Sequence, residues 1–453
     1  MAKPLLFSAF VMNTVSHMLH GVWRQPGAGQ VDFNSLEFWV ELARELEAGL
    51  FDVLFFADVH GTYGNIGTSF AKHLEVGLQI PSNDPASIIS ALAYNTEHLG
   101  FAFTSSVVQE HPFSFARKMS TLDHASKGRI AWNIVTNGLP NGARNFGFDD
   151  LISHEQRYRW ADEYVEVVYK LWEGSWDEDA LLQDRVSGRH ADPDKIHRIN
   201  HAGERYKVEG PHLVAPSPQR TPLLFQAGSS ESGMRFAAHN AEAQFLLAPN
   251  PAIAATTIKR TRDLLSQTGR DEDELRFFQG LSFVVGSTEE EVARLDRELD
   301  EAIDDEAMII HLGGAMGVDL SEHSLDYPLE KIETEGIHSV LSWVKAAIPD
   351  RAPVVRDIGF LASRSSRVSG TPEQIVAALR EWQDVGIDGI NVMNATIPGS
   401  YTTFIEHVMP LLRTKGLARE AYAEGTLRRK IFGADRLPGS HPGAGYRGAF
   451  RSD

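Results

Sequence analysis

The stretch SLEFWVELARELEAGLFDVLFFADV, residues 35–59, contains the two elements that decide the fold. Its first part, up to Gly49, has the pattern of an amphipathic helix that ends at a glycine. Its second part, DVLFFADV (52–59), is continuously apolar, which is typical of a parallel strand buried on both faces. A helix that leads directly into such a strand predicts a parallel sheet covered by helices.

Apolar runs of the same kind recur along the chain, separated by helical patterns. The predicted strands are LLFSAFV (5–11), DVLFFADV (52–59), LGFAFTSSV (99–107), RIAWNIVT (129–136), PLLFQAG (222–228), AQFLLAP (243–249), FFQGLSFVVG (277–286) and GINVMN (389–394). Eight buried parallel strands that alternate with helices predict an α/β fold of the (β/α)8 TIM-barrel type.

Three segments interrupt the alternation of strands and helices, near residues 60–85, 177–221 and 309–370. Long insertions in a compact domain are typically lids or contacts between subunits. Residues 415–453 form a tail whose last part is rich in glycine and proline, and we expect that part to be extended on the surface or on a partner subunit. The chain is therefore predicted to be a single barrel domain, residues 1–453, that assembles as a homodimer or homotetramer.

Composition excludes several classes of partner and chemistry. The chain has 453 residues, a formal net charge of −18 and no cysteine. An acidic surface repels phosphate backbones, so nucleic acid is not an expected partner. The lack of cysteine excludes disulfides, thiolate nucleophiles and zinc–thiolate sites. No apolar run reaches the length of a membrane span, and the N-terminal run is interpreted as a strand, so we expect a cytoplasmic protein without a membrane partner.

Polar residues follow five of the predicted strands, at the ends that gather at one face of a barrel. These residues are His17, Asp58, Tyr63, Thr104, Asn133, Thr136, Gly228, Ser229 and Ser230. Each has a structural alternative as a cap, a turn residue or a buried hydrogen-bonding group. Together they favour a polar ligand over the barrel mouth.

Two segments have features of an anion site. In QAGSSESG (226–233), glycines and hydroxyls precede a helical pattern, which suits a phosphate, although Ser229 or Ser230 could equally be an ordinary helix N-cap. In the helix after Ser153, His154 and Tyr158 share one face near the N-terminus, although Tyr158 could simply begin the core face. We find no P-loop, no dinucleotide fingerprint and no convincing metal-ligand spacing, so no metal is predicted.

Long ordered segments of the chain resemble one known group of enzymes. They include SAFVMNTVSHMLHGVWRQP, FDVLFFADVHGTYG, HEQRYRWADEYVEVVYKLWEGSW and IDGINVMNATIPGSYTTFIEHVMPLL. The chain resembles the bacterial luciferase-like FMN-dependent monooxygenases, in the branch of nitrilotriacetate, dibenzothiophene-sulfone, dimethyl-sulfide and long-chain alkane monooxygenases. The resemblance spans nearly the whole chain and is weakest over 309–370. Thr14 and Gly138 stand where the long-chain alkane enzyme has cysteine and histidine, so the resemblance does not extend to an alkane substrate.

The resemblance implies a two-component enzyme on a luciferase-like barrel. FMN would arrive reduced from a separate NAD(P)H:FMN oxidoreductase, and oxygen would form a C4a-peroxyflavin that oxygenates a small organic substrate. That substrate is expected to be apolar, sulfur-containing or halogenated. The implied FMN contacts are Asp58, Thr104, Asn133, Thr136, His154, Tyr158, Ser229 and Ser230, with the Gly228 backbone beside the phosphate.

The resemblance places His17 and Tyr63 near the reactive side of the flavin ring, as the catalytic candidates. One alternative is a deazaflavin-dependent hydride-transfer oxidoreductase on the same barrel. A flavin-binding protein without catalysis is a third possibility, but such a protein has no use for His17 and Tyr63 at the mouth.

Overall fold

The segments predicted as strands form a closed parallel barrel in the computed structural model. The structure describes residues 3–63, 71–228, 230–316, 320, 323–332, 344–345, 348 and 350–451. The barrel strands are β1 (Leu6–Met12), β2 (Val53–Ala57), β3 (Gly100–Ser106), β4 (Ile130–Val135), β5 (Leu223–Gln226), β6 (Ala243–Leu246), β7 (Arg276–Val285) and β8 (Gly389–Met393). Ser229 and parts of the segments 60–85 and 309–370 lie outside the described residues.

Each barrel strand pairs in parallel with the next one along the chain, and β8 pairs with β1. The closing register runs from Leu6 opposite Gly389 to Phe10 opposite Met393. The predicted (β/α)8 barrel is therefore confirmed. Four further residues, Arg367–Gly370, extend the sheet beside the second half of β7.

Helices cover the outside of the barrel and its two ends. The α-helices are α1 (Leu36–Ala48), α2 (Ala71–Val76), α3 (Ala86–Tyr94), α4 (Pro112–Ala125), α5 (Pro140–Asn145), α6 (His154–Tyr169), α7 (Glu231–Asn240), α8 (Pro251–Gln267), α9 (Glu289–Ala302), α10 (Asp305–Met316), α11 (Val355–Arg364), α12 (Pro372–Asp384), α13 (Gly399–Thr403), α14 (Met409–Thr414) and α15 (Leu427–Phe432). Two π-helical turns span Lys170–Gly174 and Phe404–Val408. The 3-10 turns span Val22–Arg24, Gly29–Asp32, Pro193–Lys195, Glu272–Glu274, Leu329–Lys331 and Pro442–Tyr446. No helix of the described part is long and apolar enough to cross a bilayer.

Side chains on the strands alternate between the helices and the barrel interior. In β1, Phe7 and Val11 belong to the outer core, whereas Leu6 and Phe10 belong to the interior cluster. The interior cluster consists of Leu6, Phe10, Val53, Phe55, Ala102, Ala131, Leu223, Phe225, Ala243, Phe245, Phe278, Met393 and Leu427. Because the interior is filled by side chains, a ligand must bind over the mouth of the barrel.

The insertions differ in where they lie. Residues 177–221 contain two antiparallel hairpins, Leu181–Asp184 with Arg189–Ala191 and His201–Ala202 with Lys207–Val208. The described parts of the other two insertions meet where the rings of Tyr63 and His311 pack together, with ring centres 4.4 Å apart. The division of the chain into one domain with insertions stays a prediction.

The C-terminal tail contributes a helix to the barrel before its glycine- and proline-rich part begins. Its helix α15 closes the amino-terminal end of the barrel, where Leu427 joins the interior cluster and Arg428 is 1% exposed. Arg428 forms a bidentate ion pair with Glu242, at 2.6 Å from Nε to Oε1 and 2.8 Å from Nη2 to Oε2. Its Nη2 also donates to the Pro222 carbonyl oxygen at 3.0 Å. Helix α15 is buried because Leu427 covers the open end of the barrel and Arg428 is the counterion of Glu242.

We expect Arg428→Met to lower the free energy of unfolding by about 3–5 kcal/mol, because it leaves the Glu242 carboxylate buried without a partner. Urea denaturation of the purified variant measures the loss. The neighbouring pair of Arg429 and Asp435 is solvent-accessible, so Arg429→Met should cost much less stability and is the matched control. The double variant Arg428→Met/Glu242→Leu should recover most of the loss. Equal losses in the two single variants would contradict this role of Arg428.

Candidate active site

A group of residues lies where the end of β5 and the starts of α6 and α7 meet. We call it the hydroxyl cradle; its members are His154, Tyr158, Gln226, Gly228 and Ser230. Ser230 Oγ accepts from the Gly233 backbone N–H at 3.1 Å, so the N-cap expected as the structural alternative is present. The same hydroxyl lies 3.2 Å from His154 Nε2. Tyr158 shares hydrogen bonds with Ser230 and Gln226, and burial raises the pKa of its hydroxyl.

The hydroxyl cradle brings together four predicted residues from two segments, His154, Tyr158, Gly228 and Ser230. The N-termini of α6 and α7 meet there, which concentrates partial positive charge and free N–H groups. At Gly228 an added Cβ would lie 2.4 Å from Gln226 Nε2 and 2.9 Å from the Tyr158 hydroxyl, so only glycine fits. The arrangement suits a phosphate monoester.

A second polar group lies at the ends of β3 and β4. Asn133 Nδ2 donates to Thr104 Oγ1 at 2.9 Å, and Thr104 Oγ1 donates to the Phe56 carbonyl oxygen at 3.1 Å. Asn133 Oδ1 is buried and has no partner within the described part of the chain. Thr136 follows β4 and is half-buried. One amide oxygen is thus left free to accept a hydrogen bond at the mouth.

Asp58 lies at the end of β2 in a mostly buried position. Its Oδ1 accepts from the Val59 N–H at 2.9 Å, and its Oδ2 lies 3.7 Å from His60 Nε2. Burial raises the pKa of Asp58 to about 7, and the charge of Asp84 adds to this. Burial also lowers the pKa of His60. Asp58 therefore changes its charge within the physiological range.

The two catalytic candidates lie in a group that we call the histidine cluster, made of His17, His20, Tyr63, Gln79 and His311. The His17 ring packs against Phe10, with ring centres 4.7 Å apart. Burial, together with the neighbouring His311, lowers the pKa of His17 to about 3, and a hydrogen bond with the Phe10 carbonyl opposes this shift. One ring nitrogen of His17 thus carries a proton, while Nδ1 has no partner among the described residues.

The Tyr63 ring packs edge-on against His311, with ring centres 4.4 Å apart. Burial raises the pKa of Tyr63 to about 12, so the phenol keeps its proton at neutral pH. Burial also lowers the pKa of His311 to about 4. The cluster therefore offers one phenolic donor between neutral imidazoles.

Sequence reasoning missed Gln226, Gln79, His20 and His311. Gln226 is the last residue of β5, so its place at a strand end was a usable signal. His311 lies in α10 and Gln79 in a loop with φ 51°, and neither follows a strand. Their local sequences contain no sign that these segments fold over the mouth. Within the described ranges no group of three or more metal-ligating side chains is placed to bind a metal.

Gly138 leaves open space on one side of the mouth. A Cβ built there would meet only Arg157 Nη1, at 3.8 Å. That nitrogen donates to the Asn137 carbonyl oxygen. The space left by the missing side chain at this position therefore borders the Arg157 guanidinium.

Five buried oxygen and nitrogen atoms around the mouth have no hydrogen-bond partner among the described residues. They are Asn13 Oδ1, His17 Nδ1, Gln79 Oε1, Asn133 Oδ1 and Gln226 Oε1. Buried polar atoms cost free energy unless they are paired, so such a concentration indicates a site for a polar ligand or ordered water. The unpaired atoms around the mouth can therefore form several hydrogen bonds with a ligand, and the hydroxyl cradle can hold an anionic group of that ligand.

Comparisons with known proteins find one matching family and several similar enzymes. Residues 12–389 match the family described as luciferase-like monooxygenase. Dimethyl-sulfide monooxygenase of Hyphomicrobium sulfonivorans is 40% identical over 456 residues, which cover 99% of this chain and 95% of that protein. Long-chain alkane monooxygenase of Geobacillus thermodenitrificans is 40% identical over 455 residues, 99% of each chain. Nitrilotriacetate monooxygenase component A of Aminobacter aminovorans is 30% identical over 424 residues, 91% of this chain and 93% of that protein.

Solved structures share the same architecture. DmoA from Hyphomicrobium sulfonivorans has a TM-score of 0.93 at 40% identity, with 99% of this chain and 97% of that chain covered. A riboflavin lyase, RcaE, solved with modified FMN and riboflavin, has a TM-score of 0.90 at 35% identity, covering 98% and 100%.

Asp58→Asn tests the raised carboxyl pKa in the flavin-free protein. Between pH 4 and 7 the folded state holds a proton on Asp58 that the unfolded state has released, so wild-type stability falls as pH rises. Asparagine removes this effect. The stability of the variant relative to wild type should therefore rise by roughly 2–4 kcal/mol from pH 4.5 to 8, measured by urea denaturation. The exposed Asp149→Asn is the control. A difference that stays flat with pH would contradict the raised pKa.

Proposed function

The chain belongs to the luciferase-like monooxygenase family, and we propose that it is the oxygenating component of a two-component system that uses reduced FMN and molecular oxygen. The family and the branch predicted from the sequence are confirmed. One observation carries the finer proposal: the hydroxyl cradle and several buried acceptors without a partner lie at the same barrel mouth.

The residues present fit FMN by their chemistry. His154, Tyr158 and Ser230, with the Gly228 backbone, would hold the phosphate, because hydroxyls, an imidazole and two helix N-termini favour an anion. Ser229 is proposed as a further phosphate contact. Asp58, Thr104, Asn133 and Thr136 would hold the rest of the cofactor, and the free Asn133 Oδ1 is an acceptor for one of its N–H groups.

Reduced FMN would supply the electrons that activate oxygen, and the histidine cluster would manage the proton at the reacting atoms. His17 is neutral at pH 7, so its free Nδ1 accepts a hydrogen bond or a proton. Tyr63 keeps its phenolic proton and donates. A donor and an acceptor that are both near His311 can orient a polar reacting group.

The substrate is proposed to be a small organic molecule, apolar, sulfur-containing or halogenated. Beside His17 the floor is aromatic, since Phe10 packs on Phe245 with ring centres 4.8 Å apart. Leu247, just after β6, is 51% exposed. Apolar surface of this kind favours substrates with few charges. The relative that acts on dimethyl sulfide, by its name, supports the sulfur class.

The reductant would come from a separate protein, an NAD(P)H:FMN oxidoreductase. The chain has no dinucleotide fingerprint, and one relative is named as component A of its enzyme. Deazaflavin-dependent hydride transfer is the alternative on the same barrel, and it needs neither oxygen nor a flavin reductase.

The first test of this proposal uses the purified chain with NADH or NADPH. Alone it should give no turnover; with any FMN reductase, a panel of small thioethers and haloaromatics should yield oxygenated product carrying ¹⁸O from ¹⁸O₂. Reductase with heat-inactivated chain is the control. Oxidation of NAD(P)H by this chain alone, or substrate conversion under argon with a reduced deazaflavin, would refute the two-component assignment.

The second test concerns the hydroxyl cradle. Each of His154→Ala and Ser230→Gly should raise the Kd for reduced FMN by roughly 10- to 150-fold, the value of one charge-assisted hydrogen bond. Glycine keeps the N-cap of α7 to within a few tenths of a kcal/mol, so folding is little affected. Anaerobic titration measures Kd. The single variants His190→Ala and Ser187→Ala, at exposed positions, are the matched controls. Unchanged binding in both cradle variants would place the phosphate elsewhere.

The third test concerns His17. We expect His17→Ala to bind reduced FMN normally while product formation falls by roughly 10²–10⁴-fold, the usual contribution of acid–base catalysis. Reduced FMN would still be consumed, with hydrogen peroxide released instead of product. The ratio of peroxide to product is measured beside the melting temperature. A variant with a lowered melting temperature that still forms product rather than peroxide at low temperature would show that His17 only stabilises the first loop.

A further inference from the structure

His20 lies directly behind His311 and is fully buried. Both of its ring nitrogens have a partner: Nδ1 lies 2.8 Å from Ser16 Oγ, and Nε2 lies 2.9 Å from His311 Nδ1. A fully bonded, fully buried imidazole beside a catalytic candidate is not required by packing, since an apolar side chain of similar size fills space equally well. The proposed function assigns no individual role to His20.

The direction of this hydrogen-bonded chain follows from Gln79. Its side-chain nitrogen donates to the His17 carbonyl oxygen at 2.9 Å, which fixes the orientation of the amide. The same nitrogen lies 3.5 Å from His311 Nε2, so it presents a hydrogen to that atom. This contact favours a lone pair on Nε2 of His311, because an N–H there would face a second N–H group.

The remaining protons are then determined in turn. Neutral His311 carries its proton on Nδ1 and donates it to His20 Nε2. His20 in turn carries its proton on Nδ1 and donates to Ser16 Oγ, whose hydroxyl donates to the Leu19 carbonyl oxygen at 3.4 Å. Every bond runs the same way and the chain ends on a carbonyl, so it cannot release a proton to solvent. Its effect is to hold one tautomer.

We propose that His20 is a positioning residue: by accepting the Nδ1–H of His311, it keeps the Nε2 lone pair of His311 directed at the barrel mouth, beside Tyr63 and Gln79. The inference rests on the proposed function only for what His311 does there. The tautomer itself is a property of the protein without flavin.

Burial lowers the pKa of His20 well below its ordinary value, and His311, His17 and His73 lower it further. Both imidazoles of the pair are thus neutral at pH 7, which is the state in which a single shared proton can select the tautomer. Without an acceptor at position 20, the Nδ1–H of His311 would be buried and unpaired. The tautomer with its proton on Nε2 would then be favoured.

Solid-state NMR of flavin-free protein labelled with ¹³C,¹⁵N-histidine tests the proposal, with the His311 signals identified by their loss in His311→Ala. In wild type, His311 should carry its proton on Nδ1. His20→Phe should shift most of the His311 population to the Nε2–H tautomer. His20→Gln, whose amide oxygen can still accept, should keep the Nδ1–H tautomer.

The matched control is His212→Phe, which removes another buried imidazole with a serine partner, Ser120 at 3.0 Å, far along the chain from this cluster. It should lower the melting temperature while leaving the His311 signals unchanged. An Nε2–H tautomer in wild type overturns the proposal even if no His20 variant folds. An unchanged tautomer in His20→Phe, or the same change in His20→Gln as in His20→Phe, also overturns it.

A second measurement separates this inference from the proposed function. The rate at which oxygen reoxidises bound reduced FMN should change at least about ten-fold in His20→Phe, in the same direction as in His311→Ala, and little in His20→Gln. The double variant His20→Phe/His311→Ala should add nothing to His311→Ala, because the two residues act as one unit. Additive effects overturn the proposal. If the wild type neither binds nor consumes reduced FMN, the proposed function fails and the tautomer result still decides the positioning role.

Discussion

Hydrogen bonding between β8 and β1 closes the sheet, and the site depends on that closure. The register that joins Leu6 to Gly389 brings the two ends of the chain's barrel segment together. In a closed parallel sheet all carboxyl ends lie in one ring, so polar residues far apart in the sequence become neighbours. Asn133 and Thr104 bond across adjacent strands, and Ser230 meets His154 from a separate helix. The filled interior below them leaves the mouth as the place for a ligand.

The amino-terminal end of the barrel, opposite the mouth, is stabilised by a buried ion pair. Arg428 reaches Glu242 and the carbonyl of Pro222, while Glu242 also accepts from the Leu224 N–H at 3.1 Å. Each charge satisfies the other, and the surrounding backbone groups satisfy the remaining hydrogen-bonding atoms. The tail is thereby fastened to the starts of β5 and β6, the two strands nearest the hydroxyl cradle. Stability and ligand binding are served by opposite ends of the same strands, as is usual for this fold.

The chemistry of the mouth depends on burial more than on residue type. A solvated histidine titrates near pH 6.5 and would be partly protonated near neutral pH. Burial instead keeps His17, His20 and His311 neutral, with His17 near pKa 3 and His311 near 4. Asp58 moves the opposite way, to about 7. The site thus has imidazoles as acceptors, Tyr63 as a donor, and a carboxyl whose charge is easily changed.

The sequence by itself determined the eight barrel strands, because strands buried on both faces must be continuously apolar, and it located Asp58, Thr104, Asn133, His154, Tyr158 and Ser230 at the ends of strands and helices. It did not reveal that α15 plugs the barrel, because Arg428 is read as a surface residue until Glu242 is found opposite it. Nor did it reveal Gln79, His20 and His311, since no local pattern states which insertion folds over the mouth. Only the tertiary structure decided these contacts and the resulting pKa values, because burial and hydrogen bonding between distant segments exist only once the chain is folded.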